Sequence, residues 1–138
     1  MASCAPVDLV NRMIEEIQNR RNIDLVDEIF APDFVNHTPS PGGSGDRAGM
    51  REIFATAHTA FPDGVVVVEH QVASGDKVWT WKSFSGTHTG PLRGLAPTGH
   101  KVAYQVVDIL RVQDGKITDH WGLVDRLPLM RQLGLVKT

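Results

Sequence analysis

The apolar residues of this chain change their spacing once, near Gly64, and that single change restricts the fold more than any other feature. Before it, Val10, Met13, Ile14 and Ile17 repeat along one helical face with Glu15, Glu16, Gln18 and Arg20 opposite. This spacing predicts an amphipathic helix over roughly Val7 to Arg21. Asp24 as a cap, followed by Leu25, Val26, Ile29 and Phe30, predicts a second short helix. It stops at Ala31, because a residue before proline is pushed out of the helical region. Asp33 to Thr38 reads as briefly extended, and Pro39 to Gly45, with nothing apolar to bury, as a mobile loop able to act as a lid. Met50, Ile53, Phe54 and Ala57 mark a third helix with Asp46 as its cap, closed by the turn Phe61-Pro62-Asp63-Gly64.

After Gly64 the period is that of strands, beginning with Val65 to Val68, whose branched side chains suit a pleated surface. Ser74-Gly75-Asp76-Lys77 predicts a hairpin into Val78 to Thr87. Asp114-Gly115 predicts a type I′ hairpin between Val102 to Val112 and Lys116 to Val124. The glycine-rich stretch Gly90 to Gly99 is a long excursion at the rim of a pocket. A last helix fits Leu127 to Leu133, with Pro128 in its first turn and Gly134 ending it. Four antiparallel strands after the helices give an α+β fold, helices on one face of a bent sheet. Trp79 and Trp81 occupy one face of the second strand and Val78 and Phe84 the other. Both faces therefore need cover, one from the helices and one from a second copy of the chain, and the expectation is a homodimer through the sheet face.

The 138 residues form one expected domain, 1–138, with about 1–6 and 137–138 flexible, large enough to bury a core without staples. A net charge of −2 with no basic run argues against nucleic acid and anionic membrane as partners. The one cysteine, Cys4, falls in the frayed start, so no internal disulfide is expected. No signal-peptide pattern and no apolar run of membrane-spanning length are present, and the reading is cytoplasmic.

On alternation alone, Ile117, Asp119, Trp121, Leu123 and Asp125 share a face of the last strand. Asp125 is then either a carboxylate at the wall of an apolar cavity, raised by burial into an acid/base near neutrality, or a cap for the last helix. The six histidines lack zinc spacing, so no metal is expected. His37, after Asn36 and before the flexible loop, faces a cavity mouth or solvent. His88, between Gly86 and Gly90, reaches inward or shapes a turn. His70 reads as a core or interface residue, and His58 and His100 as solvent-facing. No phosphate loop, nucleophile elbow or reactive-cysteine setting occurs, which leaves proton transfer in a largely apolar cavity.

Gly86-Thr87-His88-Thr89-Gly90 to Pro97-Thr98-Gly99, Asp114-Gly115-Lys116-Ile117, His120-Trp121, Asp125 and Gln132-Leu133-Gly134 resemble the SnoaL-like polyketide cyclases. Asn36-His37 and Phe61-Pro62-Asp63 extend the likeness to nearly the whole chain. The resemblance implies the α+β cone of the nuclear transport factor 2-like (cystatin-like) superfamily, its curved sheet wrapped around N-terminal helices, and frequent dimers. It implies a cofactor-independent enzyme of cyclase or isomerase type, closing a ring in a polyketide-like substrate by intramolecular aldol chemistry. Trp121-Gly122-Leu123-Val124-Asp125 matches the W-x-x-x-D spacing and makes Asp125 the implied acid/base. Asn36, His37, His88 and Tyr104 are then candidate donors to the oxyanion, and Trp79, Trp81 and Trp121 candidate walls. Three alternatives stay open: an epoxide hydrolase using Asp108, Arg111 and Asp125, a steroid isomerase using Asp33, and a non-catalytic holder of a small lipophilic ligand.

Overall fold

The structure, a computed structural model, describes residues 5–136; Cys4 and the outermost terminal residues lie outside that range. The first helix begins as α1 (Pro6–Arg12), with proline in its first turn, and widens into a π-helix over Met13–Asn19. Val10, Met13, Ile14 and Ile17 are the buried face, as their spacing predicts. A 3₁₀ turn, Ile23–Leu25, leads into the one-turn α2 (Val26–Ile29), and no side chain caps either. Phe30, expected in the helix, instead begins β1 (Phe30–Asn36). α3 (Arg47–Ala60) starts where expected, the Asp46 carboxylate accepting the Gly49 N–H at 2.8 Å.

The remaining elements are β2 (Val65–Ser74), β3 (Lys77–Thr87), β4 (Lys101–Gln113), β5 (Lys116–Val124) and α4 (Arg126–Gln132). The sheet has five strands in the order β1-β5-β4-β3-β2. The four expected strands are antiparallel, and β1 adds a fifth, running parallel to β5 at the edge. The hairpin at Asp114-Gly115 has φ of 51° and 75°, the positive pair a type I′ turn demands. Helices pack on one side of the sheet: Val10, Ile17 and Ile29 from the helices and Phe30, Phe34, Val78, Leu110 and Ile117 from the strands form one buried cluster. Each such side chain contributes about 1.5–3 kcal/mol by leaving water.

One irregularity decides what the sheet presents to that interior. Arg111 pairs with Asp119 but Val112 with Ile117, leaving Thr118 as an extra residue in β5. Such a bulge resets the alternation of side chains. Ile117 points into the core, yet beyond the bulge His120, Gly122 and Val124 line the interior while Leu123 stands 77% exposed on the outer face. The face assumed from strict alternation, Ile117 through Asp125, does not exist.

Candidate active site

Between the concave sheet and the helices lies a cavity of about 220 Å³. Its walls are mostly apolar, among them Met13, Phe30, Met50, Phe54 and Phe84. Against them stands a buried polar chain contributed by four strands. Asn36 ends β1, Lys82 is on β3, Asp108 on β4 and His120 on β5. His120 Nε2 is 3.0 Å from Asp108 Oδ1, and its Nδ1 is 2.8 Å from Asn36 Oδ1. The Lys82 ammonium pairs with Asp108 Oδ2 and also donates to Gln18 Oε1 at 3.1 Å.

Hydrogen-bond logic fixes the orientation of the amide. Thr38 N–H donates to Asn36 Oδ1 at 3.0 Å, so that atom is the oxygen and the Asn36 Nδ2 group is buried with no partner among the described residues. Burial alone would raise the Asp108 carboxyl. The Lys82 charge, with the hydrogen bond and charge of His120, outweighs it and holds Asp108 well below the usual carboxylate range. Each nitrogen of His120 thus faces an acceptor, and the ring can carry a proton on either without orphaning a donor. Gly122 makes this possible, because a Cβ there would stand 2.8 Å from His120 Cε1 and 3.2 Å from Asp108 Oδ1. Tyr104 lines the same cavity, and burial pushes its phenol up to about 12 against a small lowering by Arg126, so its hydroxyl remains a donor at neutral pH.

Of the residues singled out from sequence for catalysis or binding, Asn36, Tyr104 and Asp108, the last named for the epoxide-hydrolase alternative, reach the cavity. Asp125 does not: it is exposed just before α4, outside the lining, and its side chain caps nothing. The bulge at Thr118 is the reason, since it turns the odd-numbered residues beyond it outward. Trp121 is among them, stacked on His37 at 4.5 Å, with His37 Nε2 2.8 Å from Asp119 Oδ2. Trp79 and Trp81 are half-exposed on the same outer face, and His70, beside Trp81, is exposed there rather than in the core. His88 is fully buried but pins a loop: its Nδ1 accepts the Thr98 N–H at 3.2 Å and its ring lies against Phe61. His58, expected in solvent, lines the cavity. Arg111 pairs with Asp76 and Asp119 away from Asp108, and Asp33 is exposed, so neither the epoxide-hydrolase nor the isomerase constellation assembles. Lys82, Asp108 and His120 as a group were not foreseen; Lys82 and Asp108 are polar at inward positions of β3 and β4, a signal that could have found them, whereas the bulge hides His120 from alternation.

Among the described residues no three His, Cys, Asp or Glu side chains stand where they could share a metal ion. No helix among them is long and apolar enough to cross a membrane.

Residues 8–133 match the family model described as SnoaL-like polyketide cyclase. Aklanonic acid methyl ester cyclase DnrD of Streptomyces peucetius is 31% identical over 137 residues, covering 93% of this chain and 90% of that protein. Nogalonic acid methyl ester cyclase of Streptomyces nogalater is 29% identical over 119 residues, covering 84% of this chain and 88% of its own. The structure of TsrD from Streptomyces laurentii superposes with a TM-score of 0.85 at 26% identity, covering 99% of this chain and all of that one.

Proposed function

The chain belongs to the SnoaL-like polyketide cyclase family, and from that premise we propose that it closes a ring in a polyketide-like ester by intramolecular aldol addition inside the cavity, with His120 as the group that moves the proton. The observation that carries this reading is the hydrogen-bonded chain Asn36–His120–Asp108–Lys82 set in an apolar wall. It supplies the polar centre that a plain lipophilic holder would lack.

Neutral His120, its proton held on Nε2 toward Asp108, takes a proton through Nδ1 from a carbon flanked by two carbonyls, whose entry displaces the Asn36 amide oxygen. The Asp108 carboxylate orients the ring and offsets its charge. The electron pair moves onto a carbonyl oxygen as an enolate, met by the unpartnered N–H of Asn36 and the hydroxyl of Tyr104. The enolate carbon attacks a second carbonyl carbon of the same molecule. The new alkoxide takes the proton back from His120, so the reaction is an isomerisation that needs no external reagent. Confinement in the cavity holds both ends of the substrate in attacking range.

The esters named by the relatives, aklanonic and nogalonic acid methyl esters, are the first substrates to assay. His120→Gln should lower kcat about 10²–10⁴-fold, the usual worth of a positioned acid/base. Asp125→Asn should stay near wild type. A His120→Gln enzyme that keeps the wild-type rate on an ester the wild type converts, or an Asp125→Asn enzyme that loses it, would overturn the assignment. The outer sheet face, with Val72, Trp79, Trp81, Val107 and Leu123 exposed together, supports a homodimer formed by that face.

A further inference from the structure

The helical wall of the cavity carries a cation that the ring-closing chemistry does not use. The π-helix Met13–Asn19 ends two residues before Arg21, whose φ of 62° lies in the left-handed region that non-glycine residues hold only when their surroundings enforce it. The enforcing contacts are visible. Asn19 is clamped to β2, donating Nδ2–H to the Val66 carbonyl at 3.0 Å and accepting the Val66 N–H at 2.8 Å. Arg21 Nη1 donates to the Asn19 carbonyl and Nη2 to the Gly64 carbonyl, both at 3.2 Å. Those acceptors are neutral, and the buried Nε has no partner among the described residues. Among the described residues no carboxylate forms an ion pair with Arg21. The acid that senses its charge, Asp63, is already engaged by the N–H and hydroxyl of Thr87, each at 2.7 Å.

Beside Arg21 in the cavity wall is His58 of α3. Burial first, and then the Arg21 charge, push its imidazole below its ordinary value, with the backbone carbonyls of Gln18 and Ile17 opposing. His58 is therefore a neutral ring with a lone pair, next to a fixed cation. The charges lining the cavity from the other elements are Lys82, Asp108 and Arg126, and Asp108 is already paired with Lys82. A protein of net charge −2 thus surrounds its cavity with surplus positive charge.

We propose that Arg21 and His58 form a subsite for an anionic oxygen of the substrate away from the carbon that His120 deprotonates, a carboxylate or an already ionised enol. The inference rests on the cavity being where the substrate sits. A guanidinium offers donors in a planar fork suited to such an oxygen, and a charged acceptor gains more from them than a neutral one. A substrate arriving as the neutral acid gives its O–H proton to His58. The oxygen keeps the electron pair beside Arg21, and the new imidazolium and the anion compensate each other.

The test measures binding without turnover, so it is independent of whether His120 performs the chemistry. Calorimetry at pH 7.5 and low salt compares 2-naphthoate with 2-naphthamide, and dimedone, an enolate at that pH, with its methyl enol ether. At least one anion should bind about tenfold or more tightly than its neutral partner, the ratio expected of one charge-assisted hydrogen bond. Which pair shows the preference distinguishes carboxylate from enolate. Arg21→Gln should erase the preference, and Arg126→Gln should keep it. In the wild type, the His58 Cε1–H resonance, assigned by its loss in His58→Gln, should titrate at higher pH once the anion is bound, a readout that stands even if Arg21→Gln does not fold. Equal affinities within both pairs, a preference that survives Arg21→Gln, one lost in Arg126→Gln, or an unmoved His58 titration would each overturn the proposal.

Discussion

Replacing Asp108 by Asn keeps the shape of the side chain and removes its charge, which isolates what the carboxylate does for its neighbours. The Lys82 and Asp108 side chains are only 4% and 9% exposed. Without the carboxylate, the Lys82 ammonium keeps only neutral acceptors, the Gln18 amide oxygen at 3.1 Å and the new amide, and no counter-charge. Breaking a buried pair from one side costs about 3–5 kcal/mol, since the surviving charge stays dry and uncompensated. A chain of 138 residues has an unfolding entropy of about 290 cal/mol/K at about 2.1 cal/mol/K per residue. The melting temperature should therefore fall by about 10–17 °C, read by calorimetry at pH 7. Adding Lys82→Met removes the stranded charge, and the double variant should recover to within about 1 kcal/mol of wild type. The acid limb carries the same logic. A carboxyl held below its unfolded value contributes its full stability above about pH 3.9, and loses it as the pH falls through its folded value. Wild type should lose on acidification a contribution that the double variant lacks. An Asp108→Asn loss below about 1 kcal/mol, or a double variant no more stable than the single, would show that Asp108 is not the counter-charge of Lys82.

Gly122→Ala places a methyl group 3.0 Å from His120 Nε2 and should swing the ring off Asp108, so turnover falls about 10²-fold, the cost of a small misplacement, while overpacking destabilises by about 1–3 kcal/mol. An unchanged rate would detach the His120–Asp108 contact from the chemistry. Tyr104 is the chain's sole tyrosine, so absorbance near 295 nm follows it alone; phenolate should be nearly absent from the folded protein at pH 10.5 and grow in near pH 12. A transition near 10 while the protein is still folded would mean the phenol is not held in the cavity wall. At micromolar concentration the sedimenting mass should be that of two chains, and Trp81→Glu on the outer face should halve it; a wild-type mass of one chain would remove the homodimer.

The element pattern was legible because each signal was local. The 3.6-residue period of Val10 to Ile17, the Asp46 cap and the Asp114-Gly115 turn depend on neighbours within a few positions, and all three stand as the spacing implies. The extended segment read at Asp33 to Thr38 overlaps β1 (Phe30–Asn36), but its start at Phe30 and its pairing were hidden, because its partner is β5, more than eighty residues later, and a short segment carries no sign of whether it pairs.

The site was hidden for a sharper reason. Reading a strand by alternation assumes that its phase is constant, and one extra residue at Thr118 reverses it. With the phase reversed, His120 comes inside and Asp125 goes out, and the diagonal neighbours on adjacent strands become partners. Asp108 lies opposite Gly122, two residues from His120 on the same face, and Lys82 lies opposite Val106, two residues from Asp108. Asn36 sits beside His120 through the parallel pairing of β1 with β5. Side chains offset diagonally by two positions can touch when they are long or when the residue between them is small, and Gly122 is that small residue. Deleting Thr118 should therefore do more than shorten a strand. It would restore strict alternation, turn either His120 or Ile117 toward water, and uncouple the core from the proposed catalytic chain, so no variant lacking that residue should keep both stability and turnover.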